Sequence, residues 1–326
     1  MSATPSPGPV AIVDVGSNSV RLFLCDGVDA DGPTGPRLTT VTGLRRGADT
    51  EGTIAAEALD RLDDCLQDYG RRMRDAGCVA GVALGTSAVR DAPNRAAVAD
   101  LIAGRLGIPL TVLSGEEEAL LAFSGARLAV PGDGTVLVLD VGGGSTELVR
   151  GDGGGVRAAM SLQMGAVRCT EGFLYADPPT AAQLEALRRT VEPELAAAVR
   201  AVGGPAPMVG VAGTITTLAA IKAGRYDPSV VHGSVLTADD VEGMLERLAA
   251  LHLPARREVP GLDPARAPVI VAGAAIVACA MRAAGAEHLE VSERDLLDGA
   301  ALLAGRIASP VDPALPPARR LRDGLA

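Results

Sequence analysis

The chain has 326 residues, 48% of them hydrophobic, which is enough for two domains with cores of their own. Its net charge of −10 excludes nucleic acid as an expected partner, since sequence-independent binding there rests on basic surfaces that neutralise phosphates. The start, MSATPSPGPV, has neither a basic leader nor an apolar core, and the longest uncharged apolar run, Val269 to Met281, is too short to span a bilayer. A cytoplasmic protein without membrane contact is expected, and any anionic ligand must be held locally, with a metal.

The first motif is VAIVDVGSNSVRLFL, residues 10 to 24, which reads as strand, tight turn, strand. Glu57 to Ala76 follows as an amphipathic helix with Leu59, Leu62, Leu66, Tyr69 and Met73 on its apolar stripe. CVAGVALG (78 to 85) is a buried strand that empties into TSAVRDAPN. Arg90 in that segment follows a strand end, a common place for ligand groups in α/β sheets. Its planar fork suits phosphate oxygens, and an ion pair with Asp91 or another acid is the alternative.

The strand PLTVL (109 to 113) leads to SGEEEALLAF, where helix-start rules sort three consecutive glutamates. Ser114 with Glu117 completes an S-x-x-E capping box, and Glu116 sits in the first turn, favoured by the helix dipole. Glu118 has no such structural task. A carboxylate there is suited to orient and deprotonate a water for attack on phosphorus, against the alternative of a solvated surface glutamate.

Next comes VLVLDVGGGSTELV, residues 136 to 149. Laid on the first motif with Asp14 over Asp140, it agrees at Asp-Val-Gly, at Ser19 with Ser145 and at Leu22 with Leu148, which suggests two copies of one unit. Glycine lets backbone N–H groups converge on an anion without a Cβ in the way. The groups of Gly16, Ser17, Asn18 and Ser19 in one copy, and of Gly142, Gly143, Gly144, Ser145 and Thr146 in the other, are therefore candidate phosphate ligands. Asp14, Asp140 and Glu147 would repel phosphate alone but make sense as ligands of Mg²⁺ or Mn²⁺. The alternative is a plain Gly-rich hairpin with its aspartate bonded to the turn.

Thr180 to Val202 reads as a long helix with a Thr180/Gln183 capping box, Pro193 as a kink and Gly203 as a stop. The strand MVGVA feeds GTITTLAA, so that Gly213 and Thr214 at a helix N-terminus offer another anion site, a weak signal alone. Thr237 to Leu253 is a further amphipathic helix. Pro264 to Gly285 is Ala-rich and fit for burial, its apolar part 269 to 281 reading as core, with a homodimer face as the alternative. VSERDLLDGALLAGRI looks like strand end then helix, and the tail from Ser309 is loose.

The five cysteines are scattered and never in CxxC spacing, so they read as small buried residues. The sole lysine, Lys222, excludes a GxxxxGK[ST] phosphate loop and a kinase-type strand lysine. His232, His252 and His288 lie far apart and read as ordinary loop or surface residues.

Together IVDVGSNSVRL, GTSAVRDAPN, LSGEEEA, VLDVGGGSTELV, SLQMGAVRCTE, VAGTITTLAA, APVIVAGAAI and VSERDLLDG resemble the exopolyphosphatase/guanosine pentaphosphate phosphatase (Ppx/GppA) family of the actin-like superfamily. The resemblance implies an α/β protein of two ribonuclease-H-like domains with a phosphate-binding cleft between them. They are expected at 1–122, with a C-terminal helix from about 296 to 326 packing back, and at 123–295. It also implies phosphate loops at 16–19 and 142–146, Mg²⁺ near Asp140 and Glu147, and water activation by Glu118. The chain resembles the short form, without the further helical domains of longer members. Two departures, Glu118-Ala119-Leu120 for Glu-Ala-Arg and Arg266-Ala267-Pro268 for Arg-Ala-Asp, bear on substrate affinity.

The expected activity is hydrolysis of the terminal phosphate of short inorganic polyphosphate. Conversion of guanosine pentaphosphate is the main rival, with a non-hydrolytic alarmone or nucleotide sensor and a kinase as others. An aromatic content of 2% and the lack of tryptophan give no platform for stacking a guanine, which favours the inorganic substrate.

Overall fold

The structure is a computed structural model and describes residues 8–48, 51–307 and 309–310. It divides into two compact units, one of residues up to Ser114 together with those from Leu297, the other Gly115–Leu296. The division puts Glu118, Asp140 and Glu147 in the same unit.

In the first unit β1 (Val10–Val15) and β2 (Ser19–Cys25) form an antiparallel hairpin. A small hairpin of β3 (Gly27–Asp29) and β4 (Gly32–Thr34) leads to β5 (Arg37–Val41), which pairs antiparallel with β2. Then come α1 (Ala56–Asp75), β6 (Ala80–Gly85), α2 (Ser87–Asp91), α3 (Arg95–Leu106) and β7 (Leu110–Val112). The strands β6 and β7 run parallel to β1, giving the sheet order β5–β2–β1–β6–β7. The stripe on α1 buries Leu62, Leu66, Tyr69 and Met73, and the Tyr69 hydroxyl donates to Val20 O at 3.0 Å, fastening helix to sheet.

The second unit begins with α4 (Gly115–Arg127), followed by the meander β8 (Val136–Val141), β9 (Thr146–Asp152) and β10 (Gly155–Leu162). The helices α5 (Ala166–Phe173) and α6 (Ala181–Ala201) lead to β11 (Met208–Val211), α7 (Ala212–Ala223), α8 (Pro228–Val231) and β12 (Val235–Thr237). The unit closes with α9 (Ala238–Ala249), α10 (Leu253–Arg257), α11 (Ile270–Ala284) and β13 (His288–Val291). Its sheet order is β10–β9–β8–β11–β13–β12. In both units a three-stranded antiparallel meander is extended by two strands parallel to its first, the plan expected of a ribonuclease-H-like domain.

Every residue of α11 from Ile270 to Met281 is buried in the second unit's core, so this apolar run is core. α12 (Leu296–Ile307) returns to the first unit from Leu297 onward, where the fully buried Asp298 takes a two-pronged bond from Arg37 at 2.6 and 2.8 Å. A two-residue strand, β14 (Ser309–Pro310), pairs with β6. Beyond it, the tail expected to be loose lies outside the described residues.

The capping boxes of Thr180 with Gln183 and of Thr237 with Asp240 are both formed. The helix expected over 237–253 is two. α9 ends at Ala249 because in a continuous helix the Pro254 ring would clash with the carbonyl of Ala250; the chain is instead extended at His252 and restarts as α10, and the buried Arg256 donates to Leu248 O at 3.0 Å and Leu251 O at 2.7 Å. Of the free cysteines, Cys25, Cys65, Cys169 and Cys279 are buried and Cys78 is half-buried. Among the described residues no helix is long and apolar enough to cross a membrane.

Candidate functional site

In the second unit the site rests on one row across the sheet. By register Asp140 of β8 lies opposite Glu147 of β9, and Glu147 opposite Ser161 of β10. Residues directly opposite in adjoining strands project from the same face. Ser161 Oγ donates to Glu147 Oε1 at 2.8 Å, and the Ser145 side chain also bonds this carboxylate.

The helix α4 brings the third acid. Of the consecutive glutamates, Glu116 is exposed, Glu117 half-buried and Glu118 buried. Glu118, Asp140 and Glu147 are 8, 7 and 1% exposed. Burial above all, then the charges of Glu118 and Asp140, push the Glu147 pKa well above the ordinary carboxylate range, while the Ser161 and Ser145 hydroxyls act against that shift. Like charges in a dry site disfavour ionisation unless a cation offsets them. The donor set is all oxygen, which fits a hard divalent cation, and Mg²⁺ commonly takes only one or two carboxylates plus phosphate oxygens and water. Among the described residues no group of three or more His, Cys, Asp or Glu is disposed to hold a metal ion, so at most two carboxylates, Asp140 and Glu147, are offered to a cation.

The glycine turn beside this row is closed by Gly142 N–H donating to Ser145 O at 3.1 Å. Its carbonyls are held by the start of α5: Ala166 N–H donates to Gly142 O at 2.9 Å, Val167 N–H to Gly143 O at 2.8 Å, and Arg168 Nε to Gly144 O at 2.9 Å. No backbone acceptor among the described residues takes the amides of Gly143 or Gly144. Gly165 makes this possible by its lack of a side chain, for a Cβ there would stand 2.5 Å from Gly143 C and O. Two expected phosphate donors are differently placed. Thr146 is fully buried and gives its hydroxyl hydrogen to Met164 O at 2.7 Å, and Ser145, 1% exposed, serves Glu147. Both hydroxyls brace the turn from within.

The strand β11 runs parallel to β8 with Val211 beside Asp140, so the start of α7 comes to the same sheet edge. Ala212 there has φ +67°, the left-handed region that L side chains rarely adopt, and such strain concentrates at functional sites. The next residue, Gly213, lies against the Arg266 guanidinium, and Thr214 is 7% exposed.

The first unit repeats the turn: Gly16 N–H donates to Ser19 O at 3.0 Å. Ser17 O and Asn18 O accept from Arg45 N–H and Gly43 N–H at 3.0 and 2.8 Å. The charge pattern differs, however. The residue opposite Asp14 is Arg21, whose guanidinium pairs with that carboxylate at 2.8 and 2.9 Å. Asp14, expected with the metal carboxylates, thus faces a cation where Asp140 faces an acid. Arg90 donates to Leu113 O at 2.9 Å and lies 3.9 Å from Asp91, the outer limit of the alternative ion pair.

Several site residues stand inside motifs quoted above without having been singled out: Arg21 in SNSVRL, and Ser161, Gly165 and Arg168 in SLQMGAVR. Only strand register reveals the first two, and only the contact between turn and α5 the others. Ala212 carries no sequence signal, since its φ belongs to the junction.

Each unit thus carries a glycine turn after its first strand, and the second unit adds buried acids beside that turn. The chain belongs to the Ppx/GppA phosphatase family, whose model matches residues 36–302. It is 37% identical over 318 residues to exopolyphosphatase 2 of Mycobacterium tuberculosis, covering 91% of this chain and 98% of that protein. The guanosine-5'-triphosphate,3'-diphosphate pyrophosphatase of Vibrio atlanticus is 30% identical over 305 residues, 92% of this chain and 59% of that longer one. The crystal structure of the Aquifex aeolicus member of the Ppx/GppA family matches with a TM-score of 0.75 and 29% identity, over 90% of this chain and 96% of that one.

Proposed function

We propose that the chain is an exopolyphosphatase that hydrolyses the terminal phosphate of inorganic polyphosphate, short chains in preference, with Mg²⁺ or Mn²⁺ as cofactor. The observation that carries this reading is Glu118, buried within electrostatic reach of Glu147, which also feels Asp140, in the unit that holds the glycine turn. The Gly143 and Gly144 amides bind phosphate oxygens, and the start of α7 at Gly213 and Thr214 offers further donors. Asp140 and Glu147 hold the cation, which when bound supplies positive charge against the phosphate oxygens. Glu118 orients the attacking water and takes its proton. In the first unit, the Gly16–Ser19 turn and Arg90 are a phosphate hold of their own.

The Mycobacterium relative's name supports polyphosphate as substrate. The net charge of −10 favours short or cation-complexed chains, because like-charge fields slow the encounter with long polyanions. The Vibrio relative's name supports a second reading, removal of the terminal phosphate of guanosine pentaphosphate.

The test is phosphate release with Mg²⁺ from short polyphosphate, long polyphosphate and guanosine pentaphosphate, for wild type and Glu118→Gln. Removing a positioned base costs ~10²–10⁴ in rate, so the variant should bind substrate yet turn over at that reduced level. Full turnover by Glu118→Gln overturns the assignment of the base. Release from guanosine pentaphosphate alone moves the function to the second reading.

A further inference from the structure

Ser161 lies one strand beyond the two carboxylates, and its hydroxyl is the third polar group of their row. It donates to Glu147 Oε1 at 2.8 Å from directly across the ladder, so its orientation is set by the sheet itself. Its position is closely confined on the other side. A Cβ on Gly115, the first residue of α4, would stand 2.6 Å from Ser161 Cβ and 2.7 Å from its Oγ. Ser161 therefore fits between the strand that carries Glu147 and the start of the helix that carries Glu118.

We infer that Ser161 is a positioning residue: through its bond to Oε1 it fixes the orientation in which the Glu147 carboxylate meets a divalent cation. A buried glutamate has three side-chain torsions, and its last, an sp³–sp² rotation, is broad. The Ser145 hydroxyl bonds the same carboxylate from the turn, so with the Ser161 donor removed the group keeps one anchor instead of two and its plane can turn about that anchor, away from Asp140. Hydrogen-bond partners of this kind orient metal-binding carboxylates elsewhere, and their loss typically costs 10–100-fold in metal affinity or activity. The inference rests on the proposed assignment of Asp140 and Glu147 to the cation.

The experiment uses the full chain as wild type, Ser161→Ala and Ser161→Thr. Mn²⁺ binding is measured directly from the spin-resonance signal of free Mn²⁺, alongside phosphate release as a function of Mg²⁺ and metal-free thermal unfolding. Ser161→Ala is expected to weaken Mn²⁺ binding about 10–100-fold with little change in the metal-free midpoint, to retain most of kcat at saturating Mg²⁺, and to be restored by Ser161→Thr. Three results overturn the inference: no measurable Mn²⁺ binding by wild type, unchanged Mn²⁺ binding in Ser161→Ala, or a loss of kcat that saturating metal does not mend. The two readings fail separately. Weakened Mn²⁺ binding in Ser161→Ala, beside a wild type that releases no phosphate, upholds the positioning role and sinks the hydrolase. Unchanged Mn²⁺ binding beside active wild type does the reverse.

Discussion

The substitution Gly165→Ala puts the glycine turn under a defined load. A methyl group there would lie 2.5 Å from the carbonyl carbon and oxygen of Gly143 and 2.6 Å from Gly144 N. Carbon atoms in contact prefer about 3.5–4.0 Å, so one side must retreat by roughly 1 Å. Neither side yields cheaply, because every near atom is backbone and the turn is bonded to α5 through Ala166, Val167 and Arg168. Overpacking of this kind costs about 1–3 kcal/mol. The larger effect falls on activity, since a displacement of about 1 Å in a positioned group can cost ~10²-fold. Gly165→Ala should therefore lower kcat/KM for phosphate release by about that factor, with a fall of a few degrees in the thermal midpoint. Wild-type kcat/KM in a folded Gly165→Ala variant would refute the reasoning, for it would mean that the Gly143–Gly144 backbone does not set the reaction geometry.

Two further predictions concern stability. A left-handed conformation costs an L-residue about 1–2 kcal/mol, and glycine's greater freedom in the unfolded chain returns only about 0.5–1 kcal/mol. Ala212→Gly should thus hold or raise the thermal midpoint while Ala212→Val lowers it, and the opposite order would show that φ +67° is not strained here. In the first unit Arg105 on α3 bonds Asp63 on α1 at 2.6 and 2.7 Å and holds its carboxyl below the ordinary range. With the folded value depressed, the pair's contribution is present above the unfolded carboxylate pKa and lost as pH falls through the folded one. Arg105→Gln should then lower the midpoint slightly at pH 7 and by progressively less as the pH falls below the ordinary carboxylate value, as thermal scans across that range would reveal.

What could be read from the chain was local or repeated. The alignment of Asp14 on Asp140 matches the two hairpins residue for residue, down to the bond that closes each turn. Capping rules left Glu118 as the glutamate without a structural task, and it is the one of the three that is buried. What escaped was non-local. Whether the Thr146 hydroxyl points outward depends on Met164, eighteen residues on. The Leu248 carbonyl at the end of α9 is met by Arg256, and the partner of Glu147 depends on which residue of β10 falls opposite it. The motifs name the residues at such positions, but register assigns their neighbours.

The two turns also record how a duplicated unit divides labour. Their strands keep the same pairing, aspartate opposite the second residue after the turn's last serine, and only the charge at that opposite position is inverted, Arg21 in one copy and Glu147 in the other. In one copy a guanidinium stands opposite the acid, while in the other a second acid does, the pair assigned above to the proposed cation. A change of sign at one place in an otherwise retained pattern is enough to turn two copies of one hairpin into two different tools.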